Sequence, residues 1–310
     1  MKILIQFPEG LKQKGLELQK KYESEGHEVY LSASPCYGAC DIALDEAKWI
    51  GAEKIVHVGH NKFVKTDLSI PVEYVDYNID VEIDALKLVL PYIEQYKKIA
   101  VATTVQHHHQ FPLMKKFFED NGKEVFIEAG YWAAKAGQVL GCDALGIKKV
   151  EKNIEAVVFI GNGLFHPTAI DINSKIPIFL YNTYTKKIND VRGDIERLRK
   201  RRKGSIAAAL SCKKFAVLLS TKVGQFNPGF AKWAKTELEK RGFEASILVA
   251  NELEPLPINN FWVYECYINT SCPRIVDDTE EFGKPILNID MLKTVLELMD
   301  SQKDNTESKQ

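Results

Sequence analysis

Three segments of the chain repeat one local pattern, in which a glycine ends a helix-like stretch and an apolar strand follows at once. They are YESEGHEVYL (22–31), FEDNGKEVFI (118–127) and LEKRGFEASI (238–247). Glycine takes the left-handed conformation at a helix C-terminus at little steric cost, so each copy marks a helix end followed by a strand. The recurrence predicts a threefold repeat of about 100 residues per copy.

Each copy opens with an apolar strand that begins at a lysine, and short strands then alternate with helices. The opening strands are KILIQF (2–7), KIAVATTV (98–105) and KFAVLLSTKVGQ (214–225). This rhythm predicts an α/β fold of three repeated Rossmann-like domains, each a small parallel sheet flanked by helices. We expect domains at 1–97, 98–212 and 213–300, with a polar, disordered tail at 301–310.

Composition excludes several classes of protein. The formal net charge of −1 gives no overall basic field for nucleic acid or an anionic membrane. The basic run 192–203 is interpreted as a solvated helix face. No signal peptide or apolar stretch of about 20 residues is found, so we expect a cytoplasmic protein. In that reducing compartment the six cysteines should remain thiols.

Three cysteines follow strands, one in each copy, at Cys40, Cys142 and Cys272. Ligands of parallel sheets bind at the carboxyl ends of strands, so these thiols could meet at a metal site. Spacing alone leaves this interpretation and three unrelated cysteines equally open. Cys212 and Cys266 are expected to pack as small apolar side chains. Cys36, four residues before Cys40, is expected to pack beneath the site, with a redox role as the alternative.

The motifs PEGL, PCYGACD, VGH, TTVQH, GQVLGCD, FIGNGLFHP, STKVGQ and NTSCPRIVDD, with FGKP after it, occur in order along nearly the whole chain. In this set the chain resembles the diphthamide synthase family, and within it the archaeal 2-(3-amino-3-carboxypropyl)histidine synthases. The resemblance implies a pseudo-threefold arrangement of the three domains. It also implies a 4Fe-4S cluster held by Cys40 in YGACD, Cys142 in VLGCD and Cys272 in SCPR.

The resemblance further implies the reaction. In the family, the iron without a protein ligand engages S-adenosylmethionine, and reductive cleavage gives a 3-amino-3-carboxypropyl radical. That radical adds to C2 of a histidine imidazole in translation elongation factor 2, which is the first step of diphthamide biosynthesis. A homodimer and an electron donor are expected as well.

Other residues in strand-end loops are candidates for contacts to S-adenosylmethionine, although each also has a purely structural explanation. Two of them, Lys222 and Arg274, could pair with the carboxylate of the methionine part. His57, His60 and His166 are expected to be structural. The complete set of candidates is Thr104, Gln106, His107, Gly161, Gly163, Lys222, Gln225 and Arg274.

Two other functions remain open at this point. A quinolinate synthase-like enzyme would use its cluster as a Lewis acid without consuming S-adenosylmethionine. A non-catalytic subunit of a diphthamide synthase would only relay electrons. The contexts PCYGACD and SCPRIVDD favour the diphthamide enzyme over the first alternative, and the presence of all three cysteines weakens the second.

Overall fold

The computed structural model describes residues 1–65, 67–133 and 135–307. It divides into two compact units, Met1–Ile195 and Glu196–Gln310. The first unit contains two sheets and the second contains one. Within the described parts of the chain, no helix combines enough length and apolar character to cross a membrane.

The first sheet is fully parallel, in the order β2-β1-β3-β4. Its central strand carries Ile3 and Ile5, which are fully buried, as expected of a sheet covered on both faces. Its strands and helices are β1 (Lys2–Gln6), α1 (Lys12–Ser24), β2 (Glu28–Leu31), α2 (Leu44–Ile50), β3 (Lys54–Val58) and β4 (Val72–Val75).

The second sheet has the order β6-β5-β7-β8-β9, and only β9 is antiparallel to its neighbour. Every residue of β7 is buried. The elements are β5 (Lys98–Thr103), α3 (Phe111–Asp120), β6 (Glu124–Phe126), α4 (Leu145–Val150), β7 (Ala156–Gly161), β8 (Ile178–Asn182), β9 (Ile188–Asp190) and α5 (Arg192–Ala209).

The third sheet is again fully parallel, in the order β11-β10-β12-β13. Its elements are β10 (Lys214–Ser220), α6 (Pro228–Lys240), β11 (Glu244–Ala250), α7 (Pro255–Asn259), β12 (Cys266–Asn269), α8 (Thr279–Phe282), β13 (Ile286–Asn288) and α9 (Ile289–Glu307). In each sheet the first four strands therefore have the order second, first, third, fourth. The predicted α/β fold with three repeated sheets is confirmed.

The glycines that revealed the repeat have the backbone conformation expected of them. Gly26, Gly122 and Gly242 have φ angles of 84°, 77° and 83°, in the left-handed region. Each follows a long helix and precedes the second strand of its sheet, so each ends a helix where the chain turns back into the sheet.

Some local expectations differ from the structure. The sequence IDALKLVLPYIEQY (83–96) predicts one helix, but it forms two 3₁₀ segments, Ile83–Leu88 and Leu90–Tyr92. Pro91 lacks an N–H and prevents a continuous helix there. Helix α9 continues to Glu307 and so occupies most of the tail expected to be disordered, because its polar residues can extend an existing helix. Residues 308–310 lie outside the described residues.

The basic run in α5 does more than face solvent. Arg202 forms a forked ion pair with Asp277, with N–O distances of 2.8 and 3.1 Å, and Arg201 pairs with Glu280 at 2.6 Å. These residues lie in the second unit, so the second half of α5 packs with the third sheet although it precedes residue 212. The domain boundaries near residues 97 and 212 stay a prediction.

Candidate functional site

The three strand-end cysteines lie where the sequence places them. Cys40 follows β2, Cys142 follows β6 and Cys272 follows β12. Cys40 and Cys272 are partly accessible and Cys142 is exposed, whereas the other three cysteines are buried. Accessible thiols at the carboxyl edge of a sheet are the ones that can bind a metal centre from outside.

The Cys40 loop is fixed to the sheet by a buried amide at the end of β1. Gln6 Nε2 donates to the carbonyl oxygen of Asp41 at 2.8 Å, and Gln6 Oε1 accepts the N–H of Ala43 at 3.0 Å. The loop also closes on itself, since the Asp41 N–H donates to the carbonyl of Gly38 at 3.0 Å. Gln6 thus fixes the chain on the C-terminal side of Cys40.

A second group of potential ligands lies beside this loop. His57 Nδ1 is 3.1 Å from Gln6 Oε1, and His57 Nε2 is 3.0 Å from His60 Nδ1. The third member of this group is Cys36. Its sulfur and one ring nitrogen from each histidine are all within 4.8 Å of one another. Burial lowers the pKa of His57 to about 3 and that of His60 to about 4, so both rings are neutral at physiological pH.

The Cys142 loop is held by the residue that follows the cysteine. The buried carboxylate of Asp143 accepts the N–H groups of Trp132 at 2.5 Å, Ala133 at 2.9 Å and Leu145 at 3.0 Å. Burial alone would raise the pKa of Asp143, but these backbone hydrogen bonds outweigh it and lower the pKa. Gly141, on the other side of the cysteine, lies so close to Phe165 that a Cβ atom would collide with the ring.

Loops from the first two sheets meet within the first unit. Gln106 Nε2 donates to the carbonyl oxygen of Gly59 at 2.9 Å, and Asn61 Nδ2 donates to Gln138 Oε1 at 3.3 Å. Phe63 stacks on Trp132 with ring centroids 4.7 Å apart. The loop after β3 therefore contacts both the loop after β5 and the loop that carries Cys142.

The candidates in TTVQH have structural partners. His107 is almost fully buried and its Nδ1 donates to the carbonyl of Ile79 at 2.9 Å. The carbonyl of Thr104 accepts the His107 N–H at 3.2 Å. Burial lowers the pKa of His107, although the bond to Ile79 opposes the shift. Contacts of Thr104, Gln106 and His107 to a cofactor stay a prediction.

The GNG turn follows β7 as expected. Gly163 has a φ angle of 70°, so a turn requirement accounts for it. Gly161 ends β7, and a Cβ atom there would come within 2.9 Å of the Phe159 ring. Both glycines thus have structural reasons, and a role in binding a carboxylate or ribose stays a prediction.

The Cys272 loop is fixed by an asparagine at the end of β12. Asn269 Nδ2 donates to the carbonyl of Cys272 at 2.8 Å and to Asn288 Oδ1 at 2.7 Å. Asn269 Oδ1 accepts the N–H of Ser271 at 3.1 Å. Burial raises the pKa of the Cys272 thiol, and nearby Arg274 partly offsets this rise.

The second unit also contains the two charged candidates, Lys222 and Arg274, in loops that follow strands of the third sheet. Lys222 Nζ is 2.6 Å from Glu252 Oε1, and only 4% of the lysine side chain is exposed. Gln225 is buried in the same loop, its N–H donating to the carbonyl of Lys222 at 2.8 Å. Arg274 Nε is 2.8 Å from Asp277 Oδ2, so this guanidinium is anchored by a carboxylate.

The side chains that fix the three loops are not among the candidates predicted from the sequence. Gln6 and Asn269 are buried polar residues at the ends of β1 and β12, and Asp143 is a buried polar residue in the long loop after β6. Gln6 and Asn269 are the last residues of largely apolar strands. A polar residue at such a position indicates that its side chain has a buried hydrogen-bond partner. Asp143 directly follows Cys142, and no local pattern indicates that its carboxylate is buried.

The three sheets share the order of their first four strands, and in each sheet a cysteine follows one of the strands. The chain is therefore a repeated α/β protein with thiols at the carboxyl edges of its sheets. A family model described as "Putative diphthamide synthesis protein" matches residues 7–307. The chain belongs to this family, and the predicted resemblance is confirmed.

Several relatives agree with this assignment. The 2-(3-amino-3-carboxypropyl)histidine synthase of Pyrococcus horikoshii is 36% identical over 293 residues, covering 92% of this chain and 83% of the relative. The enzyme of the same name from Methanocaldococcus jannaschii is 31% identical, covering 95% and 84%. The crystal structure of Dph2 from Pyrococcus horikoshii with a 4Fe-4S cluster aligns with a TM-score of 0.85, covering 96% of this chain and 86% of that chain.

Proposed function

We propose that the chain is a 2-(3-amino-3-carboxypropyl)histidine synthase that modifies a histidine of translation elongation factor 2. The observation that carries the proposal is one accessible cysteine after a strand in each sheet, in a chain whose archaeal relatives bear that enzyme name. Quinolinate synthase is disfavoured, since none of the relatives described above carries that name.

We propose that Cys40, Cys142 and Cys272 are the ligands of a 4Fe-4S cluster, because thiolates are the usual ligands of such clusters. Three protein ligands leave one iron open to a substrate. When bound, the cluster supplies the electron that cleaves S-adenosylmethionine toward its methionine side chain. The chain's contribution is positioning, since Gln6, Asp143 and Asn269 hold the three cysteine loops in defined conformations.

The pair Lys222–Glu252 suits the amino acid end of S-adenosylmethionine. That end carries an α-carboxylate and an α-ammonium group, and the pair offers one group of each complementary sign at the carboxyl edge of the third sheet. Gln225 lies in the same loop and can add a hydrogen bond. Lys222→Met should therefore raise the KM for S-adenosylmethionine, whereas the exposed Lys232→Met, on α6, should not.

We further propose one kind of subunit, an external electron donor and a cytoplasmic location. The archaeal relatives carry the enzyme name without a subunit number, which supports one kind of subunit, and we propose that two copies form a homodimer. The human relative, 26% identical, is named subunit 1, so relatives with more than one kind of subunit also exist.

The test is an anaerobic reaction with reconstituted cluster, dithionite, S-adenosylmethionine and elongation factor 2. We expect methylthioadenosine together with modified elongation factor. Cys40→Ala, Cys142→Ala and Cys272→Ala should each lose cluster absorbance and product, while Cys212→Ala, a buried matched control, should retain both. Formation of 5′-deoxyadenosine as the main product, or no product from fully loaded protein, would refute the proposal.

A further inference from the structure

Cys36, His57 and His60 form a group of potential metal ligands separate from the three strand-end cysteines. Their ligand atoms lie within 4.8 Å of one another, Cys36 and His57 are buried, and His60 is partly accessible. We propose that these three side chains bind a divalent transition metal ion of the zinc type, with a solvent molecule as the fourth ligand. Three protein ligands of this kind and one open position are a common zinc arrangement.

The hydrogen bonds of Gln6 fix the ring of His57 in the tautomer that such a site needs. The Ala43 N–H must donate to Gln6 Oε1, and the Asp41 carbonyl must accept from Gln6 Nε2. The orientation of the amide is thereby set, so His57 Nδ1 donates its proton to Oε1 at 3.1 Å. His57 Nε2 then carries the lone pair and points toward His60. Metal-binding histidines commonly donate their other ring N–H to an oxygen in this way.

The distances are close to those of a tetrahedral ion. Two nitrogen atoms bound to zinc at about 2.0–2.1 Å are about 3.3 Å apart. His57 Nε2 and His60 Nδ1 are 3.0 Å apart, so a separation larger by about 0.3 Å would admit the ion. Small rotations of the two rings would be sufficient. A thiolate with two imidazoles is a ligand set suited to zinc.

In the metal-free protein, every proton of the two histidine rings and of the Cys36 thiol can be assigned to one atom. There His60 Nδ1–H donates to the lone pair of His57 Nε2. On metal binding, the Cys36 thiol loses its proton to solvent as the sulfur–metal bond forms. The proton of His60 moves from Nδ1 to Nε2, so that Nδ1 can bind the ion. One proton is released per metal ion and no electron is transferred.

The proposal is tested by measuring bound zinc in untagged, full-length protein after dialysis against Zn²⁺. We would use the cluster-loaded protein and a variant in which Cys40, Cys142 and Cys272 are all serine. The second background removes the other accessible thiols, so the result does not depend on whether the proposed cluster forms. We expect one zinc ion per chain in both backgrounds, measured by mass spectrometry of the metal, with one proton released per ion.

Two variants and a matched control make the test specific. Cys36→Ala should abolish stoichiometric zinc binding, whereas Cys212→Ala, which removes another buried thiol, should not. Gln6→Leu should weaken zinc binding about 10–100-fold through loss of the His57 partner. Folding of each variant is checked by circular dichroism. If the parent proteins bind no zinc, or if Cys36→Ala and Cys212→Ala bind it equally, the proposal is refuted and the group is a hydrogen-bonded packing unit.

Discussion

The carboxylate of Asp143 should be a main determinant of stability in the first unit. Its Oδ2 accepts two backbone N–H groups, from Trp132 and Ala133, and its Oδ1 accepts that of Leu145. In Asp143→Asn the amide can keep its oxygen at the Oδ2 position and retain two of these bonds. Its NH₂ group then faces the N–H of Leu145, so one bond is lost and two donors oppose each other.

The cost follows from these contacts. Losing one hydrogen bond to a charged group costs about 1.5–3 kcal/mol. The two remaining bonds are weakened because the acceptor is now neutral. We therefore expect a loss of about 2 kcal/mol or more. In a unit of this size that lowers the melting temperature by at least about 4 °C.

The assay is thermal and urea unfolding of wild type, Asp143→Asn and the control Asp120→Asn. Asp120 forms an exposed ion pair with Lys116 and should hardly matter. The pKa of Asp143 is lowered in the folded protein, so its stabilisation is complete at neutral pH and is lost as pH falls below about 4. Equal stability of Asp143→Asn and Asp120→Asn at pH 7, or a difference that persists at low pH, would contradict this role of the Asp143 carboxylate.

Three further changes test the other loops. Gln6→Met removes the hydrogen bonds to Asp41 and Ala43, so alkylation of Cys40 should become faster in cluster-free protein. Gln13→Met, at an exposed position of α1, should leave this rate unchanged, and peptide mass spectrometry measures both. Gly146→Ala, in α4 beside the Cys142 loop, should lower the melting temperature, because its Cβ would collide with the backbone carbonyl oxygen of Glu128. Gly163→Ala should cost about 1–2 kcal/mol in urea unfolding, since its φ angle is 70°, whereas helical Gly193→Ala should not destabilise.

The parts of the fold that depend on local chemistry could be predicted from the sequence. A helix-ending glycine and a run of β-branched residues act over a few positions, and both recur three times, so the repeat and its parallel sheets followed. Strand β9 could not be found in this way. The turn before it contains Lys186 with a φ angle of 58°, a conformation that no glycine or asparagine at that position announces.

The candidate site was predictable only as far as its cysteines. Position after a strand places a residue at one edge of a sheet, and this holds for Cys40, Cys142 and Cys272. The side chains that fix their loops depend on contacts between distant parts of the chain. Gln6 and Asp41 are 35 residues apart in sequence, and no local pattern links them. The pairing of Lys222 with Glu252 is of the same kind.

The glycine turns that revealed the repeat also mark the safest places to attach a reporter. Gly26, Gly122 and Gly242 lead into the amino ends of strands, while the cysteine loops leave the carboxyl ends. A fluorophore or affinity handle inserted at such a turn would therefore lie at the opposite edge of its sheet from the chemistry. Labelled protein of this design could report elongation factor binding while leaving the loops of all three cysteines untouched.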